Sequence, residues 1–202
     1  MSTINTKTLR LVQLGLLSGL IILLQLYFVI PLPGSLTLSL VLVPIVVGAV
    51  LYGPGAGALL GGIFGLAVSI MAIQGQLGLL TNMMVAYNPL LTVTVCMFKG
   101  IGAGFVPGLI AKTFRKRRFA GILLAAAAAP IMNTGIFLLG MFTVFRSVMD
   151  EFAVNIGMGG MSAIYFAVVV LVGVNFLIEF AANIILSPTI ASIVNAIRKI
   201  GK

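Results

Sequence analysis

One residue type is out of place in "NPLLTVTVCMFKGIGAGFVPGLIAK", residues 88–112. The stretch is apolar and glycine-rich for about seven helical turns, yet Lys99 sits in its middle with no carboxylate along the same segment. An ionisable group in such a run costs several kcal/mol unless it is paired or wetted, so its default reading is functional. Its candidate partner is Glu179, which shares one helical face with Asn175 and Asn183, one turn to either side. Asn133 and Thr134 follow Pro130 in another apolar run. Two arrangements fit these residues. Lys99 and Glu179 neutralise each other while the asparagines satisfy backbone groups freed by proline. Alternatively, Lys99 and the asparagines line a polar cavity, and the cation holds an anionic or hydrogen-bonding solute. Proximity of Lys99 to Glu179 decides between them.

Further ligand-type side chains cluster near the ends of the apolar runs: Tyr27, Gln74, Gln76, Asn82, Tyr87, Asn88, Arg146, Asn155 and Tyr165. Catalysis is not expected. There is no histidine, and the acids are Asp150, Glu151 and Glu179, two of them adjacent. No nucleophile–base pair is evident. The single cysteine, Cys96, rules out a disulfide framework within the chain. No cofactor or metal site and no phosphate-cradling G-x-x-x-x-G-K-[ST] loop can be read.

The elements that must position these groups follow from the solvent. The 202 residues are 61% hydrophobic and 7% charged, with a mean hydropathy of +1.26. Soluble domains carry about 25% charged residues. So much apolar surface cannot be hidden in one core, and the solvent for most of the chain must be lipid. Six apolar segments can be read, at roughly 10–30, 38–52, 56–73, 88–112, 119–145 and 162–194, the second short and carrying Pro44. "PLPGS", "GPG" and "RKRR" mark turns. Residues 74–88 read as a loop, a re-entrant stretch or a lid, and "RSVMDEFAVNIGMGGM" reads as a connection. The polar start leads into a long apolar run with no small-residue cleavage site, so a removable signal peptide is not expected.

The expected fold is an all-α integral membrane protein, residues 1–202 forming one six-transmembrane-helix bundle. With six spans, Lys7, Arg10, Lys112, Arg115, Lys116, Arg117, Arg118, Arg198, Lys199 and Lys202 share one side. Arg146 alone lies opposite, so the positive-inside rule makes both termini cytoplasmic. The formal charge of +9 then reflects membrane anchoring, and no nucleic acid is called for, although the 115–118 run could also be a lipid-headgroup patch. Lys99 would lie about 16 Å below Asn88, near mid-bilayer.

Small residues recur at every fourth position: Gly15 and Gly19 with Ser18 beside them, then Gly57, Gly61 and Gly65, then Gly100, Gly104 and Gly108. Such stripes let helix backbones approach closely. The second and third are read as internal packing. The first lies near the basic end, and either internal packing or a partner membrane protein fits it.

"VPIVVGAVLYGPGAGALLGGIFGLA" (43–67), "NPLLTVTVCMFKGIGAGFVPGLI" (88–110) and "PIMNTGIFLLGMF" (130–142) together resemble the substrate-binding (S) components of energy-coupling-factor vitamin transporters. The likeness spans nearly the whole chain. It implies a six-helix bundle in a bacterial plasma membrane that binds a vitamin on its outer side. It also implies docking on a transmembrane coupling subunit with two ATPases, through the stripe at Gly15, Ser18 and Gly19, with the S component toppling to deliver its load. One departure is that "GLAVSIM" lacks the Asp that many relatives carry near the end of the third helix. The 88–110 and 130–142 stretches look most like the pantothenate branch. A carboxylate with hydroxyls and an amide suits one cation and several asparagines. Folate, pyridoxine-type compounds and riboflavin remain alternatives, as does a self-sufficient small channel or carrier. The substrate-site expectation is Lys99, Asn133, Thr134, Asn88, Tyr87, Asn82, Asn175, Tyr165 and Arg146.

Overall fold

A computed structural model describes residues 6–28, 30–32, 36–38, 40–160, 162, 165–166, 169 and 173–200. Met1 to Asn5 and Lys202 lie outside the described residues, as do the side chains of Arg198 and Lys199 and parts of the expected sixth segment. The chain forms α1 (Thr6–Tyr27), a small hairpin of β1 (Ile30–Leu32) and β2 (Leu36–Leu38), α2 (Leu42–Tyr52), α3 (Pro54–Ile73), α4 (Leu79–Tyr87), α5 (Pro89–Thr113), α6 (Arg118–Thr143), α7 (Arg146–Asn155) and α8 (Val174–Ile200).

Among the described residues, five helices are long and apolar enough to cross a membrane: α1, α3, α5, α6 and α8. The expected second span is different. Its helix has 11 residues, about 16 Å, roughly half of a hydrocarbon core. The residues ahead of it form a small antiparallel hairpin in which Ile30 pairs with Leu38 and Leu32 with Leu36, a minor addition to an otherwise all-α membrane fold. Pro44 falls in the first helical turn, where a missing N–H costs nothing. The chain nevertheless returns to its starting side. The Tyr52 hydroxyl, at the end of α2, donates to Gln13 Oε1, and the Arg10 guanidinium lies 5.5 Å from the Tyr52 ring centre, both near the start of α1.

The glycine stripes of α3 and α5 explain the most extensive helix pair in the bundle. A methyl group at Gly57 would overlap the Gly104 carbonyl, one at Gly61 the Gly100 carbonyl, and one at Gly65 would meet the Cys96 carbonyl. The every-fourth spacing keeps these glycines on one ridge, so the two backbones touch along three turns. Gly53, at φ +88°, makes the turn from α2 into α3 that L-residues resist, and Pro54 opens α3 where its missing N–H is harmless.

Two apolar cores result. One surrounds α2, with Ile45, Val46, Leu60, Phe64, Ala103, Ala129, Ile190 and Val194 buried. The other lies at the opposite end, under α4 and α7, and contains Met84, Met141, Phe145, Met149 and Phe152. These two short helices replace the expected loop at 74–88 and the expected connection after residue 145. Both were missed for the same reason. Each is too short to give a span-length signal, and α7 is polar on its outer face, where Asp150 and Glu151 are exposed.

Arg10, Lys112, Arg115 and Arg118 gather at the end away from α4 and α7. Gly108 of α5 abuts Pro54 at the start of α3, and Arg115 and Arg118 flank a cleft with Val50 and Leu51 of α2. Arg10 lies at the same end, above Tyr52.

Candidate functional site

Helices α3, α5 and α6 position Lys99. On one flank the level is set by Gly61 against Gly100 and Gly65 against Cys96. On the other it is set by Gly140 against Val95 and Gly102 against Ile136. Those contacts bring Phe64 of α3 and Phe137 of α6 to the lysine. Its Nζ lies 6.0 Å from the Phe64 ring centre and 5.6 Å from that of Phe137. Both distances fall within reach of cation–π attraction. Phe64 belongs to the α2 core, while Phe137 packs against the other core, so the ammonium sits at the seam between them.

The contacts that the structure shows for the Lys99 ammonium are these two rings, and a direct Lys99–Glu179 salt bridge is not among the contacts of the described residues. Glu179 is buried on α8, and its backbone carbonyl accepts a hydrogen bond from Asn183 Nδ2 at 2.9 Å.

The amide residues divide into two groups. Asn133 lies one turn before Phe137 on α6, and Asn175 and Asn183 lie on α8, which packs against α6. The Oδ1 atoms of all three are buried and accept no hydrogen bond among the described residues. A buried carbonyl oxygen without a donor costs about 1–3 kcal/mol, so these oxygens are receptive to a solute or water that donates. Thr134 is half-buried beside Asn133. Asn88, by contrast, is engaged. Its Oδ1 caps α5 by accepting from the Leu91 N–H at 3.0 Å, and its own N–H closes α4 onto the Met84 carbonyl.

The remaining expected residues lie at the α4/α7 end. The Tyr87 ring meets Phe145 edge-on at 5.8 Å and is otherwise exposed. Asn82 is exposed on α4, close to Gly75. Tyr165 is exposed, and its N–H donates to Ser162 Oγ at 3.3 Å. Arg146 pairs with Asp150 at 3.5 Å, and with both side chains more than half exposed this contact contributes little to stability. The structure thus places Lys99 between α3 and α6, with Asn133 and Thr134 on α6 and Asn175 on α8. Asn82, Asn88, Tyr87, Arg146 and Tyr165 lie at the α4/α7 end. Phe64, Phe137 and Asn183 were not among the expected site residues. The four-residue spacing of Asn133 and Phe137 was the available signal for one of them.

Gly15 and Gly19 contrast with the other stripes. A Cβ at either would meet nothing within 4 Å, and Ser18 Oγ turns inward to the Leu14 carbonyl at 2.8 Å. The same helix exposes Leu11 and Leu16, each at 70%. Among the described residues nothing covers the Gly15/Gly19 face.

The long apolar helices define a multi-pass helical membrane protein, with a cation and several amide side chains placed on them. The chain belongs to the ECF transporter, substrate-specific component family, whose family model matches residues 9–191. No curated protein matches it. It is accordingly a membrane-embedded transporter subunit that supplies substrate specificity, rather than an enzyme.

Proposed function

We propose that this subunit captures a carboxylate-bearing vitamin, pantothenate in the first instance, with Lys99 as the charge partner and Asn133, Thr134 and Asn175 as hydrogen-bonding groups. The supporting observation is the Lys99 ammonium, held against the Phe64 and Phe137 rings in the middle of an apolar helix. An ammonium in that setting gains from an incoming carboxylate, and the acceptor oxygens of the asparagines suit hydroxyl and amide donors on the same solute. Tyr87, Asn82, Asn88, Arg146 and Tyr165 lie towards the mouth through which it would enter.

The basic end faces the cytoplasm of a bacterial cell in this reading. The chain crosses six times, with α2 and the hairpin ahead of it completing one crossing together, and both termini are inside. The open Gly15/Gly19 face of α1, including Ser18, seats a transmembrane coupling subunit that recruits two ATPases, because no nucleotide-binding motif exists in the chain itself. Titration calorimetry of the purified protein with pantothenate, folate, pyridoxine and riboflavin tests the substrate. Saturable binding of pantothenate that is lost in Lys99→Met is expected. Preference for the neutral riboflavin would overturn the role given to Lys99.

A further inference from the structure

Two clefts of about 330 Å³ each open at the basic end, and they are contiguous. Both are lined by Val50, Leu51, Ala111 and Arg115. One extends to Arg118 and Gly121 at the start of α6, the other to Lys112 and the Gly53–Pro54 turn. Neither belongs to the Lys99 site, which lies in the middle of the bundle.

The charge at this end is one-sided. Lys112, Arg115, Lys116, Arg117 and Arg118 place five cations within seven residues. Asp150 and Glu151 are on α7 at the other end, and Glu179 is buried in α8. Among the described residues no carboxylate lines either cleft. The α6 N-terminus opens beside them, and Arg117, its capping residue, offers no side-chain acceptor to the first-turn amides. The C-terminal ends of α2 and α5 bring carbonyls of the opposite sign. Each amounts to about half a charge, and the formal cations outweigh them. Apart from Arg115 and Arg118, the first cleft is lined by Val50, Leu51, Ala111, Phe114, Gly121 and Ile122, and Phe114 and Phe119 are exposed, at 40% and 56%. An anionic head beside a hydrocarbon tail matches that pattern, whereas a fully polar acidic peptide leaves the apolar wall uncovered.

We propose that this groove is a binding site for the phosphate of an anionic phospholipid, with Arg115 and Arg118 as its ligands and the acyl chains lying along Phe114 and Phe119. The site is independent of the vitamin and of the coupling subunit. Lys116 and Arg117 belong to the same basic run but line neither cleft, which provides the control.

Native mass spectrometry of the full chain in detergent, titrated with phosphatidylglycerol or phosphatidylcholine, is the test. Phosphatidylglycerol should bind saturably and displace phosphatidylcholine. A basic residue at an anionic surface is worth a little over fivefold, so Arg115→Gln with Arg118→Gln should weaken binding about thirty-fold. Lys116→Gln with Arg117→Gln makes the same charge change and should weaken it no more than about threefold, through the screened field alone. Equal losses in the two pairs would mean a diffuse cationic surface and overturn the site. Equal binding of the zwitterionic lipid would do the same. Displacement of the lipid by millimolar inorganic phosphate or by an oligoglutamate peptide would assign the groove to a free anion or an acidic protein segment instead.

Discussion

Replacing Lys99 with methionine separates the two roles a mid-span cation can have. Methionine keeps most of the apolar stem and removes the charge. In the unliganded protein the ammonium carries a burial cost of about 3 kcal/mol at bilayer depth. Against that stand two ring contacts, at 6.0 Å to Phe64 and 5.6 Å to Phe137, each worth about 0.5–2 kcal/mol. These terms nearly cancel, and no ion pair to Glu179 is broken. Lys99→Met should therefore leave the unliganded thermal midpoint in detergent unchanged or slightly raised. With pantothenate bound, the lost contact is a charge-assisted one of about 1.5–3 kcal/mol. That corresponds to about a 10- to 150-fold loss of affinity by calorimetry. Phe64→Leu and Phe137→Leu should weaken binding less, because they free the ammonium without removing it. The reasoning fails if Lys99→Met binds pantothenate within twofold of wild type. It fails equally if affinity and unliganded stability fall together, since that outcome belongs to a structural lysine.

The glycine contacts separate fold from docking. Gly61→Ala drives a methyl into the Gly100 backbone carbonyl and should destabilise the bundle by at least about 1–3 kcal/mol, read as a lower thermal midpoint. Gly15→Leu meets nothing in this chain, so stability and vitamin affinity should hold while ATP-driven uptake with the coupling subunits is lost; normal uptake would remove α1 from the interface. Asn88→Ala removes the α5 cap and should cost about 1 kcal/mol of stability, and a much larger effect on affinity than on stability would return Asn88 to the substrate site. Arg117→Cys in a Cys96→Ala background should resist an impermeant maleimide added to intact cells and react after permeabilisation; labelling from outside would invert the proposed topology.

What could be read in advance divides along physical lines. The long spans were legible because the need for about 20 apolar residues overrides local propensity. The α3–α5 pairing was legible because glycine at every fourth position has few other uses inside an apolar helix. The α2 segment was not, since a run of apolar residues looks the same as a short helix, a strand or a span fragment, and the pairing of Ile30 with Leu38 is a long-range choice. For the site, the cation and the asparagines were visible from residue type alone. Whether Lys99 met Glu179 was not, because it depends on the rotation of α8 about its axis. Phe64 and Phe137 were hidden among 13 phenylalanines, and only the packing of α3 and α6 against α5 selects them.

The most direct test is uptake of radiolabelled pantothenate into proteoliposomes. The chain alone should bind the vitamin without accumulating it, and accumulation should require the coupling subunit, both ATPases and ATP together. Accumulation or downhill flux through the chain by itself would contradict a substrate-capturing subunit that relies on a borrowed motor.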